Sequence, residues 1–215
     1  MLKLFAFRLI VLSLIFPTAV LAFEVRIVDQ NGEPVKDAVV SIPEGTISKD
    51  ELEKANSSPA IMDQIQRQFV PRVLAVEKGR NIVFPNSDNI RHHVYSFSKP
   101  KSFQIKLYKD APKEPLSFEN DGIVVLGCNI HDSMIGYVFV SPWPIFSVTP
   151  DNGLVEFEAR PKEVAVWHPW VSGLKVPIRV AVSEDQSNIM QVELEITSPK
   201  APKTIKSKFK KFYKR

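Results

Sequence analysis

Three side chains that bind soft metals lie within the short segment Gly127-Cys-Asn-Ile-His-Asp-Ser-Met134. Cys128 offers a thiolate, His131 an imidazole and Met134 a thioether, so one loop can point three donors at a single centre. Cys128 is the only cysteine of the sequence and cannot close an internal disulfide. An intermolecular disulfide, an inert buried cysteine and a metal ligand are the remaining explanations for this thiol.

Copper suits this donor set better than the alternatives. A structural zinc site would use four Cys or His ligands and no thioether, and a c-type haem would need a second Cys directly before a His. One Cys and two His with a long axial Met form the blue-copper electron-transfer site. Met134 alone could also be core filler, as Met often is.

A second imidazole must come from elsewhere in the chain, and the remaining histidines are His92, His93 and His168. Neighbouring residues on a strand point to opposite faces, so at most one of His92 and His93 can face the metal. His168 lies in Trp167-His-Pro-Trp170, where packing against an aromatic surface is the favoured interpretation.

The elements around these residues are short strands separated by turn signals, which predicts an all-β fold. Six short strands between residues 72 and 140 form a predicted Greek-key sandwich or barrel around the donors. Phe23–Asp29 and Val35–Ile42 flank the turn Asn31-Gly32 and predict a hairpin, whereas residues 48–68 are interpreted as a linker. Further strands are predicted at 154–157, 164–168, 178–182 and 190–196.

The segment Asn86-Ser-Asp-Asn-Ile-Arg-His92-His93-Val94, together with the Cys-x-x-His-x-x-Met loop, resembles the cupredoxin family over about residues 60–142. The loop is similar to that of amicyanin-like members, and the surrounding sequence to proteins named as methylamine utilisation or plastocyanin-like. The resemblance implies one copper ion, cycling between Cu(I) and Cu(II), with His92 as the upstream ligand. It also implies that the solvent-facing edge of His131 is the exit for the electron.

Three residues are expected to support these ligands. His93 stands where many cupredoxins have an Asn that braces the ligand loop, and Asn86 and Asn129 are the other expected neighbours. The resemblance therefore predicts His92, Cys128, His131 and Met134 as metal ligands, with His93, Asn86 and Asn129 around them.

A second resemblance covers the flanking segments. Residues 25–40, 149–157 and 164–169 resemble the transthyretin-like, carboxypeptidase-regulatory-like sandwich family. A two-stranded hairpin is marginal alone, so joining the flanks into one sandwich would complete both. We predict a small β-sandwich of residues 23–58 and 145–198, interrupted by a cupredoxin domain of residues 59–144. The rival interpretation is one cupredoxin sandwich with a linear extension.

The two ends have distinct compositions. Lys3 and Arg8 precede an apolar run that reaches Ala22, which predicts a cleavable signal peptide over residues 1–22 and export to the periplasm. Of 28 basic residues, two lie in that segment and eight at 200–215, which leaves 18 in the body against all 24 acidic residues. The basic tail, residues 199–215, is either a solvated end or a contact to an anionic membrane surface or an acidic partner. Nucleic acid is not an expected partner.

These features predict an electron carrier for a periplasmic redox protein, not an enzyme, because four protein donors leave no position for a substrate. The alternative is a copper-binding module for delivery, storage or assembly, with the second sandwich as a platform for partners. A structural protein with a decayed site is a third interpretation. Phe97, Ile130 and Ile135 are either a docking surface or, as favoured from the sequence, buried core.

Overall fold

The computed structural model of the protein describes residues 22–48, 50, 58–110, 114–171, 173, 176–184 and 187–197. The predicted signal peptide, apart from Ala22, and the predicted basic tail at 199–215 lie outside the described residues. Within them, no helix is long and apolar enough to cross a membrane.

The described residues form seventeen β-strands. In chain order they are β1 (Phe23–Asp29), β2 (Val39–Ile42), β3 (Ala60–Ile61), β4 (Asp63–Ile65), β5 (Gln68–Val70), β6 (Val73–Glu77), β7 (Arg80–Val83), β8 (His92–Ser98), β9 (Lys101–Tyr108), β10 (Leu116–Phe118), β11 (Gly122–Gly127), β12 (Ile135–Ser141), β13 (Ile145–Val148), β14 (Leu154–Phe157), β15 (Glu163–Trp167), β16 (Ile178–Ala181) and β17 (Ile189–Leu194).

Strands β3–β12 form what we term the inserted sandwich. Its larger sheet has the order β6-β12-β11-β8-β9, its smaller sheet has the order β10-β7-β3, and β4 pairs with β5 beside them. Strand β6 runs parallel to β12, which follows it only after five intervening strands. The core between the sheets includes Phe84, Phe118 and Leu126, and both Cys128 and Met134 belong to it. The loop of residues 128–134 is therefore continuous with an apolar core.

Strands β1, β2 and β13–β17 form what we term the split sandwich. One sheet has the order β14-β1-β17 and the other has the order β13-β2-β15-β16. Alternate residues of β1 point into the core, which explains why Phe23, Val25 and Ile27 are buried. Strand β1 pairs in parallel with β17, from Glu24 opposite Ile189 to Asp29 opposite Leu194. The first and last strands described therefore lie side by side in one sheet.

A small apolar layer joins the two sandwiches. Val73 and Phe139 of the inserted sandwich pack with Val39 and Trp167 of the split sandwich. The Trp167 ring lies 5.5 Å from the Phe139 ring and 5.9 Å from the Tyr137 ring, measured between centroids. The outer face of the β6–β12 pair is therefore covered by the other sandwich.

The predicted all-β fold class, a Greek-key sandwich with a second small β-sandwich, is confirmed. The predicted hairpin is wrong, because β1 and β2 belong to different sheets. The chain does reverse at Val28 and Pro34, which form an isolated bridge, but it then crosses to the facing sheet. All four residues of β2 are buried, since β2 is an inner strand between β13 and β15. The domain boundaries at 58/59 and 144/145 stay a prediction.

The predicted linker at 48–68 contains strands. Within its described part, β3 and β4 lie there and β5 begins at its end. The turn between β4 and β5 is Gln66-Arg67, and both residues have left-handed backbones, with φ of 52° and 61°. Such a turn is usually built with Asn or Gly, so this sequence carries no hairpin signal. Strands β10 and β13 were also not predicted.

Candidate metal centre

The loop of residues 128–134, which carries three of the predicted donors, connects two adjacent strands of the larger sheet. Strand β11 ends at Gly127 and β12 begins at Ile135, and these two residues are paired across the strands. The loop turns tightly at its end, because the Met134 amide donates to the His131 carbonyl at 2.9 Å. The paired strands therefore hold both ends of the loop, and Cys128 and Met134 enter the core on either side of the turn.

Strand β8 supplies the upstream imidazole. His92 is its first residue and is fully buried. Its Nδ1 lies 3.7 Å from the Cys128 Sγ, and its ring centroid lies 5.2 Å from that of His131. One ligand atom from each of these three residues lies within 4.8 Å of the other two. A thiol and two imidazoles from two distant parts of the chain thus converge.

The state of His131 fits a metal ligand. Its Nδ1 is buried and has no hydrogen-bond partner, which is costly for a polar atom unless something occupies the space in front of it. Burial, reinforced by the charges of His92 and Arg67 and opposed by that of Asp88, lowers the pKa of His131 below its usual value. The ring is therefore neutral at neutral pH, the form in which imidazole binds metals.

Met134, the predicted axial ligand, shares the apolar core with Cys128. It is 1% exposed, belongs to the same apolar cluster as Cys128, and borders the same surface groove. A buried thioether at this position suits a long axial bond to copper, and it also fills the core. Its coordination to a metal stays a prediction.

His93 is directed away from the three donors. Its Nε2 lies 2.8 Å from the Gln104 Nε2 on β9, and its ring packs at 5.6 Å from that of Tyr95. Of the two adjacent histidines, the structure places His92 in the donor group, as the resemblance implied. The expected place of His93 around the ligands stays a prediction.

Asn86 braces the segment that leads into β8. Its Nδ2 donates to the Ile90 carbonyl at 2.9 Å and to the Tyr108 carbonyl at 3.1 Å. Its Oδ1 accepts from the Asp88 amide at 3.1 Å. Asn86 therefore holds the backbone that leads to His92, and its support of a metal site stays a prediction. Asn129 is exposed in the loop of residues 128–134 and borders the groove next to Cys128.

Asp88 is the residue that the sequence reasoning missed. Its Oδ2 lies 2.7 Å from the His92 Nε2, the ring nitrogen opposite the one that faces Cys128. Burial alone would raise the pKa of Asp88, but hydrogen bonds from the Arg67 amide, the His92 ring and the Gln66 amide hold it below its usual value. Its position four residues before His92 is the only hint that the sequence offers.

A shallow groove of about 420 Å³ opens on the outer face of the sheet beside the loop. Gly127, next to Cys128, lies under the Tyr95 ring so closely that a Cβ there would come within 2.7 Å of the ring. Phe97, Ile130 and Ile135 are 84%, 49% and 45% exposed, so the buried core favoured for them from the sequence is wrong. Phe97 and Ile135 border the groove itself.

His168 lies outside the donor group and packs as predicted. It is buried, its Nδ1 accepts from the Trp170 amide at 3.2 Å, and its ring meets that of Trp170 edge to face at 5.5 Å. Mainly through burial, its pKa falls to about 4. These contacts give His168 a structural part.

Part of the chain is similar to several solved structures of copper proteins and cupredoxins. A variant of amicyanin in its reduced Cu(I) form is 19% identical with a TM-score of 0.36, covering 47% of this chain and 98% of that chain. A purple cupredoxin from Nitrosopumilus maritimus is 20% identical with a TM-score of 0.34, covering 38% of this chain and 99% of that chain.

A copper-containing nitrite reductase from Thermus scotoductus SA-01 is 20% identical with a TM-score of 0.37, and 54% of this chain covers 28% of that chain. No protein-family model matches the chain, and no curated protein does either. Because these similarities are partial and distant, the chemistry of the site must be inferred from its own donors.

Proposed function

We propose that the protein is a mononuclear type 1 copper protein that transfers single electrons to or from a redox partner in the periplasm. The observation that carries this proposal is the convergence of His92, Cys128 and His131 within 4.8 Å of one another. One thiolate and two imidazoles are the trigonal set of electron-transfer copper, and Met134 would supply the weak axial ligand. One bound copper ion would provide reversible one-electron chemistry, as Cu(I) and Cu(II).

The burial of the donors supports an electron carrier over an enzyme. His92, Cys128 and Met134 are all at least 97% buried, so water and substrates are kept from that side of the centre. Three strong donors and a thioether would fill the coordination sphere and leave no open position for a substrate. His131 is only partly buried, and its ring edge is the proposed route for the electron to the surface.

The exposed apolar residues support a protein partner. Phe97 and Ile135 border the groove next to Cys128, and Ile130 is exposed in the ligand loop itself. We propose that a redox protein docks on this surface, which would bring its own centre close to His131. In the same proposal residues 1–22 direct export and residues 199–215 contact an anionic membrane surface. Nucleic acid has no part in it.

The test is an absorption spectrum and an electron paramagnetic resonance spectrum of the copper-loaded protein. We expect a strong visible band from thiolate-to-copper charge transfer, lost in Cys128→Ala and in His92→Ala. Two matched controls, His93→Ala and His168→Gln, should keep the band because neither side chain belongs to the donor group. A band that survives His92→Ala and disappears in His93→Ala would reverse the ligand assignment.

A colourless copper-loaded wild-type protein would contradict the electron-carrier proposal. Transfer of its copper to an acceptor, with weak retention on dialysis against a chelator, would then favour the delivery module. The membrane proposal has a separate test, co-sedimentation with anionic vesicles at low salt. Full-length protein should sediment with them and a chain without residues 200–215 should not; equal sedimentation of the two would contradict the role of the tail.

A further inference from the structure

The β4–β5 turn is held in an unusual conformation. Gln66 and Arg67 both have left-handed φ angles, which side chains with a Cβ adopt at a cost. Such a conformation persists only where the surroundings impose it, and it tends to occur at functional sites. The turn is also solvent-exposed at both residues, so packing of their side chains does not hold it.

The carboxylate of Asp88 holds this turn. Its Oδ1 accepts from the Gln66 amide at 2.7 Å, and its Oδ2 accepts from the Arg67 amide at 2.8 Å. Two successive amides point at one carboxylate because both residues of the turn are left-handed. The backbone of Asp88 is itself held, because its amide donates to the Asn86 Oδ1.

The same carboxylate also contacts the ring of His92 within hydrogen-bond distance. The 2.7 Å contact from Oδ2 to Nε2 places a proton on Nε2, because an ionised carboxylate can only accept. In a neutral imidazole with that proton the lone pair is on Nδ1, and Nδ1 is the atom that faces Cys128 at 3.7 Å. One carboxylate therefore joins three donors: two turn amides and a predicted metal ligand.

We propose that Asp88 is a positioning residue that ties the β4–β5 turn to His92, and that this clamp sets the orientation and basicity of the imidazole offered to copper. The inference rests on the proposed function. A carboxylate on the far nitrogen makes the near nitrogen a stronger donor, which favours Cu(II) over Cu(I). The turn matters because its two amides hold the carboxylate in the position from which it contacts Nε2.

The first experiment needs no copper. In the metal-free wild-type protein, nitrogen-detected NMR of the imidazoles should show His92 as the Nε2–H tautomer with slow exchange of that proton. Asp88→Ala should lose the slow exchange, and Asp88→Asn, whose amide oxygen still accepts, should keep part of it. A His92 ring with the same tautomer and exchange rate in Asp88→Ala as in wild type would overturn the clamp.

The second experiment measures the copper-loaded protein. Loss of a hydrogen bond to a metal-bound imidazole commonly costs 10-fold to 100-fold in metal affinity. We expect Asp88→Ala to weaken Cu(II) binding about tenfold more than Cu(I) binding, which raises the one-electron potential by about 59 mV. Asp88→Asn should move the potential in the same direction by less. Unchanged potential and Cu(II) affinity in Asp88→Ala would contradict the proposal.

Two further sets of variants separate the clamp from simpler effects. Asp132→Asn removes a negative charge from the exposed ligand loop without touching His92, so its potential should change less than that of Asp88→Asn. Arg67→Gly keeps the turn amide and the left-handed backbone and should leave the spectrum unchanged. Arg67→Pro removes the amide and, because proline fixes φ at about −65°, also the left-handed conformation, and should shift the potential towards that of Asp88→Asn. If Asp132→Asn matches Asp88→Asn, charge alone accounts for the effect and the clamp is excluded.

Failure of the proposed function would look different from failure of this inference. If wild-type protein shows no charge-transfer band, the type 1 copper proposal fails, whatever the Asp88 variants do. If the band is present and is lost in Cys128→Ala, but Asp88→Ala keeps the wild-type potential and His92 tautomer, only the clamp fails.

Discussion

His131 and His168 lie in different parts of the molecule and have opposite surroundings. The Nδ1 of His131 is buried without a hydrogen-bond partner, and its ring lies in a group with a thiol and a second imidazole, whereas the Nδ1 of His168 accepts from the Trp170 amide. Both rings have a lowered pKa, in each case first through burial. The direction of the pKa shift therefore does not separate a candidate ligand from a structural histidine, whereas the hydrogen-bond partner of Nδ1 does.

The cores of the two sandwiches also differ in whether they include side chains that could bind a metal. The core of the split sandwich consists of aliphatic and aromatic side chains and a methionine, with Ile27 and Val166 at its centre. The core of the inserted sandwich ends in Cys128 and Met134, where it meets two imidazoles. One core can be explained by packing alone, but the other ends in a set of donors that packing does not require.

Truncating each core tests this contrast with the largest expected effects. Ile27→Ala and Leu126→Ala each remove a fully buried aliphatic side chain and should each cost about 2–5 kcal/mol of unfolding free energy. Because Leu126 lies two residues before Cys128, its truncation should also weaken copper binding, whereas Ile27→Ala should leave copper binding unchanged. Urea unfolding followed by circular dichroism, together with copper titration, measures both. Equal loss of copper affinity in the two variants would show that the cores are not independent.

A pH titration tests the contrast between the histidines, with a smaller effect. The pKa of His168 is about 4 in the folded protein and 6.5 for the unperturbed side chain, so the unfolded state binds more protons between these values. Stability should therefore be complete above about pH 6.5 and fall as the pH drops towards 4, by on the order of 3 kcal/mol.

The control for this titration is His168→Gln, which should flatten that part of the stability curve without altering the visible band of the copper-loaded protein. The measurement is the urea midpoint of the metal-free protein at several pH values. A curve with the same slope in His168→Gln would assign the pH dependence to other groups.

The sequence carried local information about the site and little about its distant contacts. Cys128, His131 and Met134 stand in one loop, so their spacing alone marks them as candidate donors. Alternation on a strand allowed only one of His92 and His93, and the structure places His92 with the other two donors. The contact between Asp88 and His92 could not be predicted from the sequence. It depends on a turn whose two left-handed residues, Gln66 and Arg67, are not residues typical of such turns.

For the fold too, local features could be predicted from the sequence and distant contacts could not. All-β character follows from composition and short strand-like runs, and the predicted bounds of β1, β8 and β14 agree with the structure. The pairing of strands could not be predicted in this way. Strand β1 pairs with β17, which lies near the other end of the sequence, and the hairpin expected between β1 and β2 does not form. Periodicity specifies which face of a strand is buried and leaves open which strand will be its neighbour.

The smallest expected change in stability is at Phe97, where the outer face of the inserted sandwich can be compared with its core. Phe97 is 84% exposed and its ring lies 5.2 Å from the Tyr95 ring, measured between centroids, so Phe97→Ser should change the unfolding free energy by no more than about 0.5 kcal/mol.

If the groove is a docking surface, Phe97→Ser should slow electron self-exchange between oxidised and reduced copper-loaded protein roughly tenfold, as for a contact contributing about 1.4 kcal/mol. Leu107→Ser, at an exposed apolar residue of β9 that does not border the groove, is the matched control and should leave the rate unchanged. NMR line broadening in mixtures of the two forms measures the rate, and equal rates in both variants would remove Phe97 from the docking surface.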